Sequence, residues 1–135
     1  SRQAIAAYTR VGGRAPAWCV ATGKAMLAHT LSDAGVLRPH LKRYTGTTLM
    51  KIGEIKRNLA ALRMRGYAVN KREWRADVFG IAAPIRNATQ TVVGAIGISG
   101  PATRFRARQI RSWASFVLDA ASSVSRSLGA PALPG

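Results

Sequence analysis

The chain has 135 residues, and its 21 Lys and Arg against 5 Asp and Glu give a formal charge of +16. That length holds one domain, able to bury about two-thirds of its unfolded surface, and excludes a second sizeable one. The composition is 47% hydrophobic without any apolar run near the roughly 18 residues that cross a bilayer, so a soluble globular protein is expected. No charged-then-apolar leader precedes the first elements, and the single Cys19 closes no internal disulfide, so the expected compartment is a reducing cytoplasm. Asn87-Ala88-Thr89 then reads as an idle sequon. The charge implies a phosphate-rich neighbour.

In chain order, Ile5 to Tyr8 reads as a short strand, and Gly23 to His29 and Ser32 to Leu37 as two short helices, with Ser32 as N-cap of the second. From Ile52 to Met64, Ile52, Ile55, Leu59 and Leu62 share one face while Lys51, Lys56, Arg57 and Arg63 lie elsewhere, and Gly66 stops the helix. Three strands follow, Tyr67 to Asn70, Val78 to Ile85 and Thr91 to Ser99, the last two joined as a hairpin through Asn87 to Gln90. Ile110, Trp113, Val117, Ala120, Val124 and Leu128 recur at helical spacing, so a long helix ends the fold, its stripe facing a core or a dimer seam. The closing GAPALPG, residues 129–135, reads as a flexible tail behind a domain spanning 1–128.

Side chains alternate along a strand, so the hairpin has two unlike faces. Phe79, Ile81 and Ile85 with Val92, Ile96 and Ile98 make one side bulky; Gly80, Ala82, Ala95, Gly97 and Ser99 leave the other almost without volume. Such a face either lets a helix pack very closely or leaves a chamber above it, and the residues alone leave both open.

WCVATGKAMLAHT, residues 18–30, places a Gly-Lys pair at a helix start. A nucleotide loop needs a glycine five residues before that pair and a hydroxyl directly after it, whereas this chain has Trp18 and Ala25 there, so the ATP reading fails. What remains is a helix start with unsatisfied amides and a positive dipole end, which suits a small carboxylate; an ordinary tight turn into a helix is the alternative.

Basic residues concentrate at Arg38 to Arg43, Lys71 to Arg75 and Arg104 to Arg111, and Arg104, Arg106, Arg108 and Arg111 are expected in the first turns of the last helix, where the dipole disfavours cations. A stand-alone module binding nucleic acid directly is therefore the alternative function, although Trp and Tyr are not interleaved with the basic residues as stacking platforms are. Catalysis has poor candidates. Cys19 and His29 are separated by a turn and a helix, His40 adjoins Pro39, and Asp33, Glu54, Glu73, Asp77 and Asp119 show no acid-base or metal-site spacing, so no enzyme activity, cofactor or metal is expected.

Read together, ATGKAMLA (Ala21 to Ala28), YTGTTL (Tyr44 to Leu49), LRMRGYAVNKRE (Leu62 to Glu73), IAAPI (Ile81 to Ile85) and GAIGISGP (Gly94 to Pro101) resemble the effector-binding domain of the IclR family of bacterial transcriptional regulators, from about Ile5 to Leu128. They match its GKALLA helix, its threonine-rich lead-in to the next helix, its GYAxDxEE segment and its two central strands. The resemblance implies an α+β, GAF-like (profilin-like) antiparallel sheet flanked by helices with a long C-terminal helix. It implies a domain that binds a small organic acid and signals to a winged helix-turn-helix absent from this chain. The family's domain also begins with further elements ahead of Ser1, so a fragment with an unpaired sheet edge is expected, and hence a homo-oligomer with no membrane partner.

By the same resemblance, the effector is held by backbone donors at Ala21 and Thr22 beside Gly23, by Val78 in the wall, and at positions occupied here by Asn70, Gly80, Gly97 and Ser99. Family members place an acidic residue, a Cys and two Ser at those last four positions, and three of the four differ here. Wall positions Ala4, Ala7 and Ala15 are small, which with Gly80 and Gly97 implies a roomier chamber for an aromatic or sugar-derived acid; the alternative is that Trp18 or Trp74 fills the vacated volume.

Overall fold

In the computed structural model, which describes residues 12–132, helices α1 (Ala21–Thr30), α2 (Ile52–Arg65) and α3 (Ala107–Ser127) accompany strands β1 (Ala68–Lys71), β2 (Val78–Arg86) and β3 (Val92–Pro101). The strands form one antiparallel sheet in the order β1-β2-β3. The fold is therefore the expected α+β arrangement ending in a long helix. The strand expected at Ile5 to Tyr8 lies outside the described residues.

Helix α2 is built as its pattern dictates. Ile55, Leu59 and Leu62 are buried at helical spacing, and Gly66 ends the helix at φ 87° with its N–H on Leu62 O at 2.8 Å. The segment after α1 differs from expectation. Asp33, not Ser32, is the cap, its Oδ1 accepting from Gly35 N at 2.9 Å, and the turn it opens (Ala34–His40) is a 3₁₀ helix with Pro39 inside.

The sheet is packed on both faces. Its bulky face, Phe79 and Ile81 with Ile96 and Ile98, meets Ala114, Val117 and Ala121 of α3. Phe79 stacks on Phe105 with ring centroids 4.1 Å apart. The buried stripe of α3 is thus Ala114, Val117, Ala121 and Ser125, rotated from the expected one, and Trp113 and Leu128 are exposed. Large sheet side chains require small helix residues beneath them, so alanines face inward and aromatics move to the flank. Arg104 and Arg106 also precede the helix rather than entering it, and Gln109 Oε1 accepts from Arg106 N at 3.3 Å. After α3, Gly129 turns at φ 92° and buried Ala130 returns its N–H to Ser125 O at 2.9 Å.

On the small face, Ala21, Ala25 and Ala28 of α1 join Ala68 and Ala82 in a second core completed by Ile55, Leu59 and Leu62 of α2. Register pairs Ala82 with Gly97 and Gly80 with Ser99, which brings the least bulky stretch of β2 and β3 beneath the start of α1. No helix among the described residues is long and apolar enough to cross a membrane.

Candidate functional site

At that point α1 and the sheet diverge, leaving a cavity of about 250 Å³ lined by Ala15, Val20, Ala21, Thr22, Asn70, Trp74, Val78, Gly80, Ile81, Gly97, Ile98 and Ser99. Both readings of the small face hold, in different places: the helix packs closely over Ala82 and Ala68, and a chamber opens over Gly80 and Ser99.

One side of the chamber is the first turn of α1. Val20 precedes it in extended conformation and no side chain caps it; the first helical bond runs from Lys24 N to Val20 O at 2.9 Å. The amides of Ala21, Thr22 and Gly23 therefore come before the helix begins satisfying its own donors. Gly23 itself does not line the cavity. A Cβ there would lie 2.3 Å from Ala17 O, so glycine is needed for the turn Ala17–Cys19 to press against the helix.

Lys24, the other half of the pair, points inward. It is 1% exposed, its Nζ lies 2.5 Å from Glu73 Oε1, and it reaches Val69 O at 3.4 Å. Burial lowers its pKa, with the Glu73 carboxylate acting the other way. Lys24 is thus already paired, and the positive pole facing the cavity is the uncapped start of α1.

Glu73 belongs to a loop that the threonine-rich segment fixes. Thr45 and Thr47 hydroxyls donate to Arg72 O at 2.6 and 2.7 Å, and buried Thr48 donates to Glu73 O at 2.7 Å. These bonds hold Arg72 at φ 60°, a left-handed conformation costly for a residue with a side chain. The loop delivers Trp74 to the cavity wall and closes on Asn70, whose Oδ1 accepts from Glu73 N at 3.0 Å. With that oxygen engaged, Asn70 has its amide N–H donors left to offer.

Of the residues named from sequence, Ala15, Ala21, Thr22, Asn70, Val78, Gly80, Gly97 and Ser99 surround one space. Ala4 and Ala7 lie outside the described residues. Trp18 does not fill the chamber; it is buried in the core with Nε1 donating to Leu49 O at 3.0 Å. Gly97 is explained by strand contact rather than by chamber volume, since a Cβ there would stand 2.6 Å from Ile81 O and 2.8 Å from the Ala82 Cβ. Gly80 differs: its Cβ would meet the Ala21 Cβ at 3.4 Å. Val20, Trp74, Ile81 and Ile98 line the cavity without having been singled out for it, and alternation assigned Ile81 and Ile98 to the opposite, bulky face, so it gave no sign of them.

Nucleophilic chemistry finds no support at Cys19, which is 0% exposed and whose thiol is pushed up to about 12 by burial and then by Glu73. Among the described residues no three His, Cys, Asp or Glu side chains group as a metal site would.

Comparison with known proteins agrees with this architecture. The family described as bacterial transcriptional regulator IclR C-terminal matches residues 1–126. The HTH-type transcriptional repressor AllR of Klebsiella pneumoniae is 32% identical over 123 residues, covering 88% of this chain and 45% of AllR. Among solved structures, the Agobacterium tumefaciens repressor BlcR superposes with a TM-score of 0.81 at 27% identity, over 89% of this chain and 50% of that one. The Thermotoga maritima IclR structure gives 0.80 at 29% identity, with the same 89% and 50% coverage. The chain thus spans about half the length of these relatives, which are transcriptional regulators.

Proposed function

The chain belongs to the IclR family of bacterial transcriptional regulators, as its C-terminal domain, and from that premise we propose that it is the ligand-sensing unit of such a regulator. A small organic acid enters between the start of α1 and the small face of β2 and β3. Its carboxylate meets the amides of Ala21 and Thr22, beside Gly23, its body lies over Gly80 and Val78, and Asn70 and Ser99 supply side-chain hydrogen bonds. The intact protein works in the cytoplasm as a homo-oligomer and reads DNA through a helix-turn-helix outside this chain. Ligand favours one arrangement of its subunits over another, which changes DNA affinity.

The observation that carries this reading is the cavity itself: an uncapped helix start faces a sheet region trimmed to glycine and serine, around about 250 Å³ of space. That size suits a compact acid carrying at most one ring, because drug-sized pockets begin near roughly 300 Å³. A thermal-shift screen of aromatic, keto and sugar acids tests it: a binder raises the melting point by mass action, and Ser99→Trp abolishes the rise while leaving the unliganded melting point near wild type. No rise with any acid refutes the reading. If nucleic acid instead binds with a steep salt dependence, the direct-binding alternative takes its place.

A further inference from the structure

At the opposite end of α1 from this cavity, the last turns of all three helices converge on the end of β2. They enclose a second space of about 250 Å³ that His29, Arg63, Arg86 and Arg126 all line. Each cation comes from a different element, α2, β2 and α3 in turn, and the imidazole from α1. Two of them are held in place. Arg63 Nη1 donates to Ala28 O at 2.8 Å and Arg86 Nη1 to Gln90 O at 2.9 Å, so little ordering remains for a ligand to impose. Among the described residues no carboxylate pairs with Arg63, Arg86 or Arg126, so these three guanidinium groups face the space without one.

His29 is fixed among these cations. Its Nδ1 lies 3.2 Å from Arg86 Nη2, and a guanidinium only donates, so Nδ1 accepts and the ring proton sits on Nε2. That Nε2 is buried and has no hydrogen-bond partner among the described residues. Burial, then Arg86 and Arg63, also hold the imidazole below its ordinary pKa, as unneutralised positive charge around it must.

Helix C-termini explain some of this cation density, since each carries about half a negative charge that arginine offsets. Three ends sum to roughly −1.5. Three guanidinium groups exceed that, and the excess is what an anion would complete. The remaining walls include Ala83 and Leu118, so the space also accepts an apolar body.

We propose that this second cavity binds a small organic anion, a carboxylate or phosphate ester, at a site separate from the effector chamber. The test is a titration of the chain with inorganic phosphate, succinate and benzoate at constant ionic strength, read on the His29 imidazole by NMR; the chain has only 2 histidines, so a His40→Gln variant assigns the signals. Saturable movement of His29 Nε2–H with at least one probe below about 20 mM is expected. Movement with phosphate alone assigns a phosphoryl ligand, and movement with succinate or benzoate a carboxylate. Arg86→Gln and the exposed Arg126→Gln should each weaken that response about tenfold, while Ser99→Trp, which closes the other chamber, leaves it unchanged. No saturable movement with any probe, a response surviving both arginine substitutions, or one abolished by Ser99→Trp overturns the proposal.

Discussion

The two faces of one short sheet have been solved in opposite ways. Toward α3, sheet residues are large and helix residues small: Phe79, Ile81, Ile96 and Ile98 fill the gap down to Ala114 and Ala121. Toward α1 both partners are small, Ala82 and Gly80 beneath Ala21 and Ala25, so contact is close where they touch and empty where they diverge. The first face gives stability and the second gives room. A sensor needs both, because a cavity lowers stability unless packing elsewhere compensates.

The largest expected effect therefore lies on the packed face. Phe79→Ala removes a 0% exposed ring stacked on Phe105 and should cost about 3–5 kcal/mol in urea unfolding. A loss under about 1 kcal/mol would mean that this face is not the stabilising one. On the α1 side a comparable loss has a different origin. Lys24→Met strands the Glu73 carboxylate in the core, for about 3–5 kcal/mol, and adding Glu73→Leu should recover much of it. Failure of the second substitution to recover stability would show that the pair is not coupled.

Two glycines sharpen the contrast at smaller scale. Gly97→Ala drives a methyl into Ile81 O and Ala82 and should cost about 1–3 kcal/mol. Gly80→Ala places its methyl in ordinary contact with Ala21 and should change stability by under about 1 kcal/mol, its effect falling on ligand affinity instead. Equal costs would remove the distinction between strand contact and chamber.

The smallest effect is a pH dependence at His29. Burial and two arginines lower its folded pKa below the usual 6.5, so beneath that value the unfolded chain takes up a proton that the folded chain declines. This contribution to stability is complete above pH 6.5 and is lost as pH falls through the range below it. His29→Gln should reduce the drop in urea midpoint between about pH 7.5 and about pH 5.5; an unchanged drop would assign it to other groups.

Much of this was legible in sequence because period and punctuation are local. The α2 stripe ending at Gly66, the hairpin closed by Asn87 to Gln90 and the alternation giving Gly80 and Ser99 a common face all follow from neighbours in the chain. What was not legible depends on partners far away. Lys24 reads only as half of a Gly-Lys pair until Glu73 is found against it, and Thr45, Thr47 and Thr48 read as a lead-in to a helix until the strained Arg72 carbonyl is found beneath them. The α3 stripe was misplaced for a related reason: hydrophobicity favours Trp113, but the large residues beneath the helix select Ala114. Arg86 and His29, separated by 57 positions, gave no sequence signal of meeting.

The central claim is that the start of α1 grips an acid above the small face. An amide-resolved NMR titration with the strongest binder from the acid screen tests it most directly. The account predicts saturable shifts concentrated at Ala21, Thr22 and Gly23 and across the sheet at Gly80 and Ser99, all sharing one Kd. Shifts that spare those amides and gather elsewhere, or that never saturate, would contradict it.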